Sequence, residues 1–201
     1  MIFALDNGNR IAATPGAKAI CPSCGTNVLA KCGSIKTWHW AHERAECDAW
    51  QEGMTEWHLK WQSKFPVDWQ EVVIRKDGVF HRADVLLPNG RVVEFQHSSI
   101  GVEEIQERER FYGSMIWVFD VRDAYKADRL LLRDRRTHYT FRWKHPRLSI
   151  SRARCQVYLH YSEFALLELG GMWSDAPCGG WGRRVDISEF TTRLLSVRQA
   201  A

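Results

Sequence analysis

The stretch HRADVLLPNGRVVEFQHS, residues 81 to 98, restricts the fold of this 201-residue chain more than any other. Apolar and polar positions alternate on both sides of Pro88-Asn89-Gly90, so the segment reads as a β-hairpin around a tight turn. With that loop Leu87 pairs with Arg91, and counting outward sets Asp84 opposite Glu94 and Arg82 opposite Gln96. Facing Cβ atoms on paired strands lie roughly 4.5–5.5 Å apart, a distance at which like charges repel. Val93 and Phe95 take one face of the second strand; Val92, Glu94 and Gln96 take the other. Two carboxylates so placed call for a cation between them as their favourable partner. A hard ion that prefers oxygen, Mg²⁺ or Mn²⁺, suits them best. The plain alternative is an exposed pair relieved by Arg82.

The flanking segments extend the hairpin into a mixed α/β architecture. Before it, MTEWHLKWQSKF reads as a helix capped by Thr55, with Trp57, Trp61 and Phe65 on one stripe, and WQEVVIR as a strand. After it, SIGVEEIQERERFYG reads as a helix between Gly101 and Gly113, and MIWVFDV as a buried central strand. Strand, helix and strand in that order form a crossover unit. Further strands are expected at THYTFRW and CQVYLHY, and a closing helix at ISEFTTRLL.

The first quarter of the chain has a different texture. Cys21, Cys24, Cys32 and Cys47 fall there, and few long apolar runs accompany them. CPSCG has the shape of a metal-binding knuckle. Fourteen residues separate Cys24 from His39, and WHWAH places His39 and His42 three apart. Cys21, Cys24, His39 and His42 would satisfy the four-ligand, tetrahedral demand of structural zinc, which a core-poor segment needs in order to fold. Cys32 or Cys47 could replace a histidine. The expected organisation is a zinc-ribbon-like module over 1–52, a core over 53–125 and a basic region over 126–201.

Charge points to a polyanionic partner. From Arg129 to Arg154 nine Arg or Lys residues stand against a single acid, Asp134, and no amphipathic helix with a bulky apolar face accompanies them. In THYTFRWK, Tyr139, Phe141 and Trp143 share a face more suited to a core than to stacking on bases. The other face, with Arg142 and Lys144, suits phosphate contacts. No run of residues reaches a membrane span and no cleavable signal peptide opens the chain, so a cytoplasmic location is expected.

The layout of Asp84, nine residues, then Glu94-Phe95-Gln96 resembles the PD-(D/E)xK nucleases, with Gln96 at the usual lysine position. CPSC with HWAH, TEWHLKW, HRADVLLPNGRVVEFQHSSI and ERERFY together resemble the competence protein CoiA-like nuclease family over roughly residues 20 to 120. That family usually reads His-Phe-Ala-His where this chain has His39-Trp40-Ala41-His42. The resemblance implies a restriction-endonuclease-like core in which a mixed β-sheet is flanked by helices, and a Mg²⁺- or Mn²⁺-dependent deoxyribonuclease activity. It implies that Asp84 and Glu94 hold the catalytic ion, that Gln96 orients water or a phosphate oxygen, and that Glu56 completes the site. Glu56 could equally pair with Lys60 one helical turn on. His58 is expected to be structural. Arg108, on the helix after the Glu-x-Gln strand, is expected to reach a phosphate while Tyr112 packs. DNA is the implied substrate and DNA-processing or recombination proteins are the implied partners. The other open class is a zinc-stabilised DNA-binding or recruitment protein that does not cut.

Overall fold

The computed structural model describes residues 1–44, 47–50, 55–173 and 178–198. The chain divides into two compact units, Met1–Leu86 and Leu87–Ala201. This division falls inside the expected 53–125 core, while the expected 52/53 boundary lies outside the described residues.

In the first unit β1 (Phe3–Asp6), β2 (Asn9–Ala12), β3 (Lys18–Ile20), β4 (Asn27–Lys31) and β5 (His39–His42) form an antiparallel sheet in the order β2-β1-β3-β4-β5. These strands have three to five residues each and a small core, in which Trp40, Val28, Ala4 and Ala19 pack beside Cys21. The Trp40 indole donates to the Ile11 carbonyl at 3.1 Å. Helix α1 (Glu56–Gln62) begins where the sequence predicts, with the Thr55 hydroxyl accepting from the His58 amide. Trp57 and Trp61 share the buried side of the helix; Phe65, expected on the same helical stripe, is also buried but lies past the end of the helix, which stops at Gln62. The strands β6 (Gln70–Lys76) and β7 (Val79–Leu86) then form an antiparallel hairpin.

Glu71 ties the chain's start to that hairpin. Its carboxylate accepts the amides of Ile2 and Phe3 at 2.8 and 3.0 Å, and the Arg82 guanidinium lies 3.8 Å away.

The second unit opens on the expected turn. The Leu87 amide donates to the Arg91 carbonyl at 2.9 Å, and Gly90, at φ +81°, takes the left-handed position that the turn needs. Then follow β8 (Val92–Gln96), α2 (Val102–Tyr112), β9 (Met115–Asp120), α3 (Arg122–Lys126), β10 (Leu130–Asp134), β11 (Tyr139–Trp143), β12 (Gln156–His160), β13 (Ala165–Met172), β14 (Gly179–Asp186) and α4 (Ile187–Leu195). The strands run in the order β10-β11-β14-β13-β12-β9-β8. Both β8 and β12 pair with β9 in parallel, whereas the other pairings among these strands are antiparallel.

All six residues of β9 are buried, the signature of a central strand covered on both faces. The crossover β8-α2-β9 forms as expected, bounded by Gly101 and by Gly113 at φ +78°. The architecture is α/β, comprising a mixed set of strands, an antiparallel sheet and helices. Among the described residues no helix is long and apolar enough to cross a membrane.

Candidate metal centre and candidate active site

The CPSC segment is the turn between β3 and β4. The Cys21 amide donates to the Thr26 carbonyl at 2.8 Å, and the Gly25 amide, at φ +75°, returns to the Cys21 carbonyl at 3.0 Å. The Ser23 amide points at the Cys21 sulfur at 3.4 Å. This tight turn aims both sulfurs to one side.

They meet His42 and Cys47, and one ligand atom from each of the four residues lies within 4.8 Å of every other. Cys21 Sγ and Cys47 Sγ are 3.8 Å apart, and Cys24 Sγ is 3.3 Å from His42 Nε2. Sulfurs bound at about 2.3 Å on a tetrahedral ion sit about 3.8 Å from each other, so the cluster already has the dimensions of a zinc site. Three sulfurs and an imidazole also form a soft donor set that suits zinc and disfavours Mg²⁺ or Ca²⁺.

His39 is not among the four. Its Nδ1 lies 2.9 Å from the Thr37 carbonyl. The two histidines occupy β5, where residues three apart point to opposite faces, whereas a helix would have brought them together. Cys47 takes the fourth place because the next residue is pinned. Asp48, almost fully buried, accepts from His81 Nδ1 and from the Arg82 amide, both at 2.9 Å.

The thiols divide unequally. Burial raises Cys24, but the Thr26 hydroxyl and amide and the His42 ring outweigh it and bring the thiol down to about 6. Burial, then the charge of Cys21 and contacts with Cys24, pushes Cys47 up to about 12. A second thiolate is costly in this cluster without a cation.

The expected catalytic residues are distributed over both units. In the first, Asp84 lies on β7. Gln62 Nε2 donates to its Oδ1 at 3.2 Å, and His58 Nε2 lies 3.9 Å from its Oδ2. His58 is buried, and its Nδ1 lies 3.2 Å from the Thr55 hydroxyl, so α1 presents two polar side chains to this carboxylate. Glu56 heads the same helix, is 78% exposed and pairs with Lys60 at 2.7 Å.

In the second unit Glu94 is only 5% exposed and Gln96 only 2%, on a strand buried along its whole length. Gln96 Nε2 donates to the Ser98 carbonyl at 3.3 Å. Arg108 departs from its expected role. It is buried on the inner stripe of α2 with Ile105, Glu109 and Tyr112. Its Nη1 donates to Glu94 Oε2 at 3.0 Å, and its other nitrogens reach Glu104 one turn earlier. Burial lowers its affinity for a proton, but Glu94 and Glu104 more than offset this, so it is held firmly cationic. Arg108 is therefore a buried countercharge for Glu94, and a metal is not the carboxylate's only favourable neighbour.

Arg142 and Lys144 are exposed, while Phe141 and Trp143 on the opposite face are buried, as their alternation requires. Sequence reasoning missed a group at the end of β9. Asp120 takes two side-chain bonds from Arg122, at 2.8 and 2.7 Å, and lies 2.9 Å from His97 Nδ1. Burial raises its carboxyl, but Arg122 and His97 outweigh this and hold it below the usual range. The parallel register, which pairs Gln96 with Phe119, forecasts a His97–Asp120 neighbourhood once β8 and β9 are known to be adjacent.

Residues 11–49 match the family described as the competence protein CoiA, N-terminal domain. This segment contains Cys21, Cys24, His42 and Cys47. Comparison with curated proteins and with solved structures gives no match to either.

Proposed function

Proceeding from the likeness of residues 11–49 to the CoiA N-terminal domain, we propose that this chain is a DNA nuclease. It would hydrolyse phosphodiester bonds with Mg²⁺ or Mn²⁺ on a restriction-endonuclease-like core, in the service of DNA processing. The observation that carries this reading is Glu94, a carboxylate 5% exposed, followed one pleat later by the equally buried amide of Gln96. Burying a charge is costly and rarely serves packing alone. The hairpin register expected from sequence would set Asp84 opposite Glu94.

Asp84 and Glu94 would hold the ion. Each carboxylate offers about four acceptor sites, so accepting from Gln62 or from Arg108 does not by itself bar a cation. When bound, that ion supplies a more acidic water and positive charge at the scissile phosphate. Arg108 keeps Glu94 ionised and fixes its plane. Gln62 and His58 orient Asp84. Gln96 aligns water or a phosphate oxygen through its amide, without adding charge. Glu56 would join by leaving Lys60, and a pair this exposed costs little to break. Cys21, Cys24, His42 and Cys47 would hold a structural zinc that staples the small sheet. Arg142 and Lys144 would contact phosphates.

A second reading is favoured by one observation, the buried Arg108 that already neutralises Glu94. A zinc-stabilised DNA-binding or recruitment protein would need nothing more there. Incubation of the purified protein with linear, circular and single-stranded DNA, with and without Mn²⁺, separates the two. Binding without metal-dependent cleavage would favour the second.

A further inference from the structure

Cross-strand partners in a sheet share a face, so the strand registers define what the outer side of β10, β11 and β14 displays. One row is Arg133, Thr140 and Trp181; the next is Leu131, Arg142 and Gly179. The intervening row, Leu132, Phe141 and Gly180, turns to the other side, where Phe141 is 1% exposed. The outer side is solvated. Trp181 is 49% exposed, Leu131 54%, and Trp173, just beyond β13, 44%.

Two indoles lie flat on this surface, and glycines make that possible. A Cβ built on Gly170 would stand 2.3 to 2.6 Å from three ring atoms of Trp181, and one on Gly179 would stand 2.4 Å from the ring of Trp173. Each ring therefore rests one face on bare backbone while much of the residue remains open to solvent. The His138 ring abuts Trp181 edge-on, with centroids 6.4 Å apart at 86°. Arg133, Arg135 and Arg142 are exposed around the rings, and neither row carries a carboxylate. The acid nearest to them in register, Glu168, is neutralised by Arg183 at 2.7 Å. Asp134 belongs to the opposite row and accepts from the Tyr139 hydroxyl.

We propose that this face binds single-stranded nucleic acid, with bases stacked on Trp181 and Trp173 and phosphates drawn to Arg133, Arg135 and Arg142. Flat aromatic rings interleaved with guanidinium groups are what an unpaired strand requires. A duplex offers base edges in its grooves and hides base faces in its stack, so rings laid flat on a sheet have nothing to stack on there. Among protein partners, an acidic surface would satisfy the arginines but leave the open ring faces without a matching group. The proposal shares its nucleic-acid partner with the nuclease reading and narrows the substrate to unpaired strands, but does not depend on cleavage.

The test measures anisotropy of labelled oligothymidylate, and of a duplex of equal length, with the full chain and no added Mg²⁺ or Mn²⁺. Wild type should prefer the single strand. Trp181→Ala and Trp173→Ala should each weaken that affinity by about five- to 150-fold, the range for losing one stacked base. Trp181→Phe should recover most of the loss, and duplex affinity should change little. Thermal melting checks that each variant is folded, and if one is not, the other alanine variant decides. Equal affinity for both nucleic acids, or single-strand affinity unchanged in the folded alanine variants, overturns the proposal. Stacking intact in a protein that never cleaves would refute the nuclease reading alone.

Discussion

Replacing Glu94 by glutamine should destabilise the protein even where no Mg²⁺ or Mn²⁺ is present. From sequence, two carboxylates facing across a hairpin should repel, so neutralising either would be neutral or slightly stabilising. Arg108 reverses that sign. Its side chain and that of Glu94 are 5% and 6% exposed and 3.0 Å apart. Removing one member of a buried pair typically costs about 3–5 kcal/mol, because the survivor is left charged and desolvated. Glu94→Gln should fall below that, at about 2–3 kcal/mol. The amide oxygen can still accept from Nη1, and Glu104, 37% exposed, retains its own bonds to the guanidinium. Arg108→Met should take the full cost, since it strands Glu94. At about 2–4 °C per kcal/mol for a chain of this size, the melting temperature should fall by about 4–12 °C for Glu94→Gln and about 6–20 °C for Arg108→Met. The double variant should lose less than the sum of the two. Thermal and urea unfolding in buffer without added Mg²⁺ or Mn²⁺ measures all four proteins. A Glu94→Gln protein as stable as wild type or more so would refute the ion pair and restore the expectation of repulsion.

The metal centre predicts about one equivalent of zinc in protein purified without added metal. Cys47→Ser should release it while His39→Ala should retain it, as read by elemental analysis, and the reverse pattern would overturn the ligand assignment. Reversing Arg142 and Lys144 to Glu should weaken DNA affinity and flatten its salt dependence by about 0.9 in log-log slope for each duplex phosphate no longer neutralised, whereas an unchanged slope would make them a merely solvated face. Asp120, whose carboxyl is held low in the folded state, contributes stability that is present above its unfolded value of about 3.9 and is lost as pH falls through its lower folded value. Asp120→Asn should therefore lower stability at neutral pH and flatten the acid limb below about pH 4. A variant with the wild-type acid limb would contradict that.

The local elements were legible because their signals are local. Thr55 caps α1, Gly101 and Gly113 bracket α2, and Pro88-Asn89-Gly90 sets the Leu87–Arg91 bond, each through chemistry contained within a few residues. The metal centre was legible only in part. Cys21, Cys24 and His42 follow from spacing, but choosing between His39 and Cys47 requires knowing that HWAH is a strand and that Asp48 is anchored to His81 and Arg82. Arg108 has a sequence signal of its own. It sits three residues after Ile105 and four before Tyr112, on the buried stripe of the helix, and an arginine on that stripe needs a carboxylate. The Trp181 surface had the faintest signal. The run GGWGRR shows glycines beside an aromatic, but only the β13–β14 register, with its irregularity between Leu169 and Gly171, reveals that the ring lies over Gly170.

Metal-dependent cleavage by carboxylate variants tests the nuclease proposal most directly. Wild type, Asp84→Asn and Glu94→Gln, each confirmed folded and bound to DNA, are incubated with single-stranded and duplex DNA over a Mn²⁺ titration. If Asp84 and Glu94 hold the catalytic ion, wild type cleaves only with metal, both variants lose cleavage, and both still bind DNA. Full cleavage by a folded Glu94→Gln protein, or no cleavage by wild type at any Mn²⁺ concentration, would contradict it.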